Sequence, residues 1–255
     1  DANENDDSGR RDLLSVFLDG WASRVRTDPQ FPFKVLMEQV VGVGANVVGD
    51  MASRPNFGLH ELDFVFSTLV VGSILNFSLM YMLAPTTSPS SSVSLASSVT
   101  TLPGIFSSCP PGHMFEPGAF SLPQRLGTFV FKGAVFAVVG FSAGLLGTLV
   151  SNVLIGTRKR MDPSFKPQNA APPTVLNAAT WALHMGLSSN LRYQAVNGLE
   201  FTLARVLTVQ PVFKASVFFV RAANNLLGGM SFVALAKLTG SQKVKGASEE
   251  TKPYQ

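Results

Sequence analysis

The hydrophobic positions of this chain form long blocks that contain almost no charge. No Asp, Glu, Lys or Arg lies between Asp63 and Glu116, and none occurs from Gly133 to Thr157. A domain dissolved in water needs charged side chains on its outer faces, so these blocks indicate helices that face lipid. The pattern predicts an all-α, multi-pass membrane protein with about four transmembrane spans and one or two amphipathic surface helices.

The predicted spans are stretches long and apolar enough for a helix to cross a bilayer. A helix of about 20 residues is about 30 Å long, which matches the hydrocarbon thickness. The four stretches are Phe64–Leu83, Leu126–Ile155 (the strongest), Thr174–Leu191 (weaker, because His184 and Ser188 interrupt it) and Val212–Ala236. A further helix over Phe33–Met51 is predicted to lie at the interface or to pack against the bundle, because its apolar centre is short.

These elements divide the chain into three parts. Residues 1–30 form a polar N-terminal segment with a short amphipathic stretch after Asp12. Residues 31–240 form the helical membrane domain, which includes a Ser/Pro-rich loop over 86–124. Residues 241–255 are predicted to be a disordered polar tail.

Small residues recur every three or four positions in the strongest span, so they fall on one helix face. Small side chains let a second helix approach closely, and in lipid this packing drives association. The face offers a contact for another helix of the chain or for a second copy in a homo-oligomer. It consists of Gly133, Ala137, Gly140, Gly144, Gly147 and Ser151.

Composition and charge agree with a membrane protein. Only 14% of residues are charged, the net charge is +4, and basic residues sit beside apolar blocks, which favours contact with membrane lipid over nucleic acid. The N-terminal region, the Arg158–Lys166 loop and the C-terminal tail all carry Lys or Arg, whereas the first long loop has none. The positive-inside rule predicts that these three segments share one side, which requires an even number of spans.

One polar run stands out among the apolar blocks. A helix over Ser188–Glu200 would gather a carboxylate, two amides and a phenol on one face, at spacings of three, four and three residues: Asn190, Tyr193, Asn197 and Glu200. Such a face could line the path of a polar or cationic solute, or it could bond neighbouring helices.

Arg221 is a charge inside the last predicted span. A charged side chain there costs about 2.5–3.5 kcal/mol on insertion scales, so it needs a partner or a wet cavity. Glu200 or Glu38 could be its counter-ion, and Asn224 lies one turn further on the same face. The predicted solute path or polar network is therefore Asn190, Arg192, Tyr193, Asn197, Glu200, Arg221 and Asn224.

Other chemistry has little support in the sequence. His60, His113 and His184 lack metal-ligand spacing, and no cofactor fingerprint or catalytic triad is present, so we expect neither metal, cofactor nor enzymatic activity. Cys109 is the single cysteine and cannot form an internal disulfide.

Four segments in order resemble the RETICULATA-related proteins, which are plastid membrane proteins of plants and algae. The first segment is Glu61–Val65 with Leu83–Thr86, and the second is Arg125 with Lys132–Gly133, Val139–Gly140 and Gly144. The third is Ser188–Gln194 with Asn197, Gly198 and Glu200, and the fourth is Arg221–Asn225 with Gly228. The resemblance covers roughly Phe31 to Gly240 and implies a role in plastid and leaf mesophyll development.

The resemblance also implies a place and a function. We expect a chloroplast membrane protein, in the inner envelope, with its basic loops facing the stroma. The leading hypothesis is a carrier or channel for a small polar metabolite such as an amino acid. The alternative is a structural or assembly subunit of a larger chloroplast membrane complex for protein import or photosynthetic assembly.

Overall fold

The computed structural model describes residues 2–29, 31–83, 102, 104–166 and 169–243, with side chains from Leu14 onward. Over these residues the secondary structure is helical and contains no strand. The α-helices are α1 (Ala2–Thr27), α2 (Phe31–Met37), α3 (Gly44–Ala52), α4 (Leu62–Leu83), α5 (Leu122–Met161), α6 (Thr174–Leu183), α7 (Asn190–Val206) and α8 (Gln210–Thr239). Two π-helical segments, π1 (Glu38–Val43) and π2 (His184–Ser189), and two short 3₁₀ turns (Pro55–Gly58 and Gly104–Phe106) complete them.

The two π segments lie inside longer helices and do not break them. Backbone angles stay helical where π1 joins its neighbours, at Met37 and Gly44, and likewise for π2 at Leu183 and Asn190. The chain therefore runs as one helix from α2 to α3 and as another from α6 to α7. A π segment widens the helix locally and is frequent at functional sites.

Five helical rods lie side by side: α2–α3, α4, α5, α6–α7 and α8. In α5, Gly144 lies against Ala178, Gly140 against Trp181 and Gly133 against Gly186, so α5 and α6–α7 are antiparallel. Their shared core centres on Val71, Phe136, Trp181 and Phe232, and the last two rings stack at 3.9 Å between centroids.

Three helices in the described part of the chain are long and apolar enough to cross a membrane: Leu62–Tyr81, Leu122–Met161 and Gln210–Thr239. They coincide with three of the four predicted spans. The weaker predicted span, Thr174–Leu191, is not one of them, because π2 divides its helix after the ten residues of α6. Length and composition therefore support three candidate spans, and four are not shown.

The helix predicted over Phe33–Met51 runs along the bundle and not across its surface. Near one end Thr68 of α4 donates to Asp50 (2.8 Å), and near the other Asn76 donates to the Glu38 carbonyl (3.0 Å). α2–α3 is therefore antiparallel to α4 over most of its length.

The antiparallel packing of α2–α3 along α4 separates two basic segments that the charge pattern predicts on the same side of the membrane. The Arg24 Nε donates to the Tyr81 carbonyl at the C-terminal end of α4 (2.5 Å). Asp63, at the N-terminal end of α4, accepts a hydrogen bond from the Asn169 amide beyond α5 (2.8 Å). The N-terminal basic residues and the Arg158–Lys166 loop thus lie at opposite ends of the bundle, contrary to the expectation of one shared side.

The loop predicted over 86–124 lies partly outside the described residues, which omit 84–101 and 103. Its later part packs on the helices: Thr128 donates to the Pro110 carbonyl (2.8 Å), and Gln194 accepts from the Met114 amide (2.7 Å). At the other terminus, Gln242 is buried, so packing continues past the domain end expected at 240. The predicted tail from 244 onward also lies outside the described residues.

Candidate functional site: a central polar cavity

A cavity of about 270 Å³ lies between α2–α3, α4, α6–α7 and α8, and Phe136 of α5 contributes to its wall. Both π segments contribute to its wall, π1 through Glu38 and Gly42 and π2 through His184 and Ser189. Apolar side chains such as Leu75, Phe136, Trp181 and Met185 form part of the lining. The charged and polar lining residues are Glu38, Asn46, Asn76, His184, Ser189, Arg192, Tyr193, Asn197, Arg221, Asn224 and Asn225.

Arg192 presents a positive charge to this cavity. Its guanidinium donates to the hydroxyls of Ser188 (2.5 Å), Ser189 (2.9 Å) and Ser231 (2.9 Å). Among the described residues no carboxylate pairs with it. Three neutral hydroxyls orient the guanidinium without neutralising it, so it remains available to an anionic group.

Glu38 presents the opposite charge. Its carboxylate folds over Gly42, where an added Cβ would lie 2.5 Å from the Glu38 Oε1 and 3.1 Å from the Asn225 Nδ2. No cation of the described chain forms an ion pair with it. The absence of a side chain at Gly42 gives the carboxylate its room, and the cavity therefore carries one unpaired charge of each sign.

Several buried polar atoms around the cavity lack a hydrogen-bond partner among the residues that the structure describes. Such an atom costs about 1–3 kcal/mol when it is left unpaired. The donors are Arg192 Nε and Trp181 Nε1, and the amide oxygens of Asn46 and Asn224 are acceptors. His184 adds a further acceptor, because its Nε2 donates to the Gly228 carbonyl (3.1 Å) and leaves its buried Nδ1 unprotonated. Donors and acceptors around one cavity are suited to a small polar molecule.

The structure brings five of the seven predicted path residues to this cavity: Arg192, Tyr193, Asn197, Arg221 and Asn224. Asn190 points elsewhere: it is fully buried, donates to the Phe129 carbonyl of α5 (2.8 Å) and accepts from Gln194 (3.0 Å). It therefore ties α7 to α5. Tyr193 donates to the Gly112 carbonyl (3.3 Å), which holds the loop before α5 over this end of the bundle.

Glu200 is the counter-ion of Arg221. The Arg221 Nε and one terminal nitrogen lie 2.7 and 2.9 Å from the two Glu200 carboxylate oxygens. Arg221 lines the cavity while its side chain is 54% exposed, so this pair sits at the cavity rim. Of the two counter-ions that the sequence left open, Glu200 is engaged and Glu38 is not.

Sequence reasoning missed three of the most polar residues in the wall: Glu38 as a free carboxylate, Asn46 and His184. A signal for the first two was present, because Glu38, Gly42, Asn46 and Asp50 recur every four residues and so share a helix face. His184 gave no such signal, since it is a lone histidine among apolar residues.

Sequence reasoning also missed the buried charge cluster at the end of α3, which is formed by Asp50, Arg54 and Glu61, although Asp50 and Arg54 have the i,i+4 spacing of a helical ion pair. Arg54 donates to both oxygens of Asp50 (2.6 and 2.9 Å) and to Glu61 (2.7 Å), and all three residues are at most 5% exposed. Burial alone lowers the pKa of Arg54, but the hydrogen bonds and charges of Asp50 and Glu61 outweigh it, so that pKa is raised. Gln242 accepts from the same guanidinium (2.6 Å), which joins the end of α8 to the cluster.

The predicted small-residue face of α5 contacts helices of the same chain. A Cβ added at Gly133 would lie 2.9 Å from the Gly186 carbonyl oxygen. One added at Gly140 would lie 2.8 Å from the Trp181 carbonyl oxygen, and one added at Gly147 would lie 2.9 Å from the Val71 Cα. Gly144 meets α6 in the same way, Ala137 lies against Gly186, and the Ser151 hydroxyl donates to the Gly147 carbonyl. The face is therefore occupied within the chain and is not a free surface for a second copy.

Comparisons with known proteins find relatives of this chain among plant chloroplast proteins. The RETICULATA-like family model, described as Protein RETICULATA-related, matches residues 23–199. The chain is 64% identical to Protein RETICULATA-RELATED 3, chloroplastic, of Arabidopsis thaliana over 236 residues, which cover 92% of this chain and 68% of that protein. It is 63% identical to RETICULATA-RELATED 2, chloroplastic, over 91% of this chain and 66% of that protein.

A more distant relative is Protein RETICULATA, chloroplastic, of the same plant, at 33% identity over 90% of this chain and 55% of that protein. The chain thus spans about two thirds of the first two relatives and about half of the third. No solved structure matches it. With a family model over most of its length and relatives of this identity, the chain belongs to the RETICULATA-related family.

Proposed function

We propose that this protein is a carrier or channel for a small polar metabolite, such as an amino acid, in a chloroplast membrane. The observation that carries the proposal is the central cavity with Arg192 and Glu38 in its wall. A free guanidinium suits a carboxylate and a free carboxylate suits an ammonium group, so one zwitterion would satisfy both. A volume of about 270 Å³ lies just below the range of drug-sized pockets and fits a small metabolite.

The location rests on the family. The relatives are named chloroplastic, and we assign this chain to the same organelle, with the inner envelope as its membrane. The alternative role, an assembly subunit, would need a free contact surface, such as the polar tails or the small-residue face. That face is filled by α6, π2 and α4, so the carrier is the function that we propose.

We further propose that the bundle crosses the membrane five times. The helices α4, α5 and α8 are three of these crossings. The continuous helix α6–α7, which contains the predicted span Thr174–Leu191, lies antiparallel to α5 along the small-residue face and is the fourth. The α2–α3 helix adds a fifth, since it runs antiparallel to α4 from Glu38 to Asp50. Backbone groups of both helices are satisfied within the rods, as a bilayer requires.

Five crossings make a prediction about the two termini. An odd number places residues before α2 and residues after α8 on opposite sides, whereas four places them on the same side. The test uses sealed proteoliposomes in which all copies of the protein have the same orientation, with an epitope tag at each end of the chain. An external protease should then cleave one tag and leave the other intact. Tags that are cleaved together, in vesicles that protect a lumenal marker, would show an even number of crossings.

The carrier proposal predicts loss of uptake when the cavity charges are removed. We expect Arg192→Gln and Glu38→Gln each to lower amino-acid uptake into proteoliposomes at least about tenfold, because a hydrogen bond to a charged group contributes about 1.5–3 kcal/mol. Glu200→Gln and Arg221→Gln should also lower uptake, because they open the ion pair at the rim. Arg205→Gln, an exposed residue of α7 outside the cavity, is the matched control.

Two results would contradict the proposal. One is uptake at the parent rate by correctly folded Arg192→Gln and Glu38→Gln proteins, which would exclude the cavity as the path. The other is the absence of any solute-dependent uptake or thermal stabilisation across charged, neutral and zwitterionic metabolites.

A further inference from the structure

A second, larger concavity lies between the beginning of α4 and the end of α5, with a volume of about 640 Å³. Its walls are apolar: Leu62, Phe66 and Leu69 come from α4, and Leu154 and Ile155 come from α5. Leu62, Leu69 and Leu154 are 46%, 41% and 48% exposed, so these walls are open to the surroundings of the bundle. We call this concavity the α4–α5 groove.

The groove follows from how the two helices cross. Their backbones come close where Gly147 faces Val71, since a Cβ on Gly147 would lie 2.9 Å from the Val71 Cα. The groove lies beyond that point, toward the N-terminal end of α4 and the C-terminal end of α5. The stretch from Leu69 to Leu62 is about 10 Å long along the helix axis, which is enough for the upper half of an acyl chain.

Charge gathers at one end of the groove. Arg158 and Lys166 line its mouth, and the Arg158 guanidinium lies 4.2 Å above the Phe165 ring, which orients it there. Asp63 also lines the mouth and accepts the Asn169 amide.

The neighbouring turns add more positive than negative charge. Lys159 and Arg160 flank Arg158, and the carboxylate nearest to them in the chain is that of Asp162. Hydrogen bonds from Ser164 hold the pKa of Asp162 below its ordinary value, so it counts as a full negative charge. The mouth and its flank therefore carry four cations, Arg158, Lys159, Arg160 and Lys166, against the two carboxylates of Asp63 and Asp162.

We propose that the α4–α5 groove is a binding site for an anionic membrane lipid, with one acyl chain along the apolar walls and the headgroup at Arg158 and Lys166. The groove matches such a lipid in two ways. Its cations complement the charge of an anionic headgroup, and its apolar walls begin where the acyl chain of that lipid would begin. A free phosphate would use the cations and leave the walls bare. This inference goes beyond the carrier proposal and does not depend on it.

The test is retention of phosphatidylglycerol by the purified full chain. The protein is exchanged from mixed phosphatidylcholine and phosphatidylglycerol into neutral detergent, and bound lipid is counted by native mass spectrometry. We expect the parent to retain phosphatidylglycerol over phosphatidylcholine and Arg158→Gln/Lys166→Gln to retain roughly tenfold less. The matched control, Lys159→Gln/Arg160→Gln, removes the same charge from the flank, outside the groove lining, and should lower retention much less than Arg158→Gln/Lys166→Gln does.

Two further arms distinguish a lipid site from a site for a free phosphate and from general attraction to basic residues. Leu154→Trp fills the groove from an exposed wall position, keeps every charge, and should also lower retention several-fold. Glycerol 3-phosphate, which has the headgroup chemistry without the chains, should not displace the lipid. Equal losses in the two double variants, no loss in Leu154→Trp, or displacement by glycerol 3-phosphate would each overturn the proposal.

Discussion

Gly229→Ala is expected to prevent the crossing of α3 and α8. A Cβ at Gly229 would overlap the Asn46 carbonyl oxygen and lie 2.5 Å from the Asp50 amide nitrogen, both of them backbone atoms. At the same crossing, a Cβ on Gly49 would lie 2.8 Å from the Leu226 carbonyl carbon. Two helices whose backbones touch cannot absorb a methyl group by rotating a side chain, so the helices must separate.

Separation of α3 and α8 would also disturb the cavity, because Asn46 lines it, and the charge cluster, because Asp50 belongs to it. Overpacking usually costs about 1–3 kcal/mol, and we expect the upper end or more here. The measurements are the unfolding midpoint in detergent and the fraction of monodisperse protein in size-exclusion chromatography.

Gly44→Ala is the matched control for Gly229→Ala. Gly44 begins α3, and an added Cβ there would meet nothing within 4 Å. Alanine is favoured over glycine in a helix by up to about 1 kcal/mol, so this variant should be as stable as the parent or slightly more stable. Similar midpoints for the two variants would contradict the backbone contact between α3 and α8.

Arg54→Gln is expected to have the second large effect. It leaves Asp50 and Glu61 buried without their shared counter-ion, and breaking a buried ion pair from one side costs about 3–5 kcal/mol. It also releases Gln242 and so loosens the end of α8 from α3. The unfolding midpoint should fall steeply, whereas Arg205→Gln, which removes an exposed arginine, should leave it unchanged.

A further variant makes the Arg54 prediction specific to charge. The triple variant Asp50→Asn/Arg54→Gln/Glu61→Gln carries no charge in the cluster and should recover much of the stability that Arg54→Gln loses. A triple variant that is no more stable than Arg54→Gln would point to packing, not charge, as the role of this cluster.

Local sequence patterns predicted the helical architecture. The charge-free blocks predicted the apolar helices α4 and α5, and an apolar stretch that contains Lys214 and Arg221 predicted α8; all three are candidate spans in the structure. The repeat of small residues in α5 predicted a close helix contact, and its members from Gly133 to Gly147 meet α6, π2 and α4. Both signals depend on residues within one or two helical turns of each other, which a sequence shows directly.

Other predictions depended on how distant helices meet. The face from Asn190 to Glu200 divides in the structure, because Asn190 turns to α5 while Tyr193 and Asn197 line the cavity. The charge pattern placed the N-terminal basic residues and the Arg158–Lys166 loop together, and the packing of α2–α3 along α4 separates them.

By itself, the sequence determined that this protein is a helical bundle with long apolar helices, of which three are candidate spans in the structure, and a small-residue face, because hydropathy and helical period are local quantities. Tertiary structure alone decided where the polar residues meet. Glu38 lies far from His184 and Arg192 in the chain, and all three face one cavity because two π segments and the close glycine contacts set the register of the helices around them. That register arises from contacts between distant parts of the chain, which no local pattern contains.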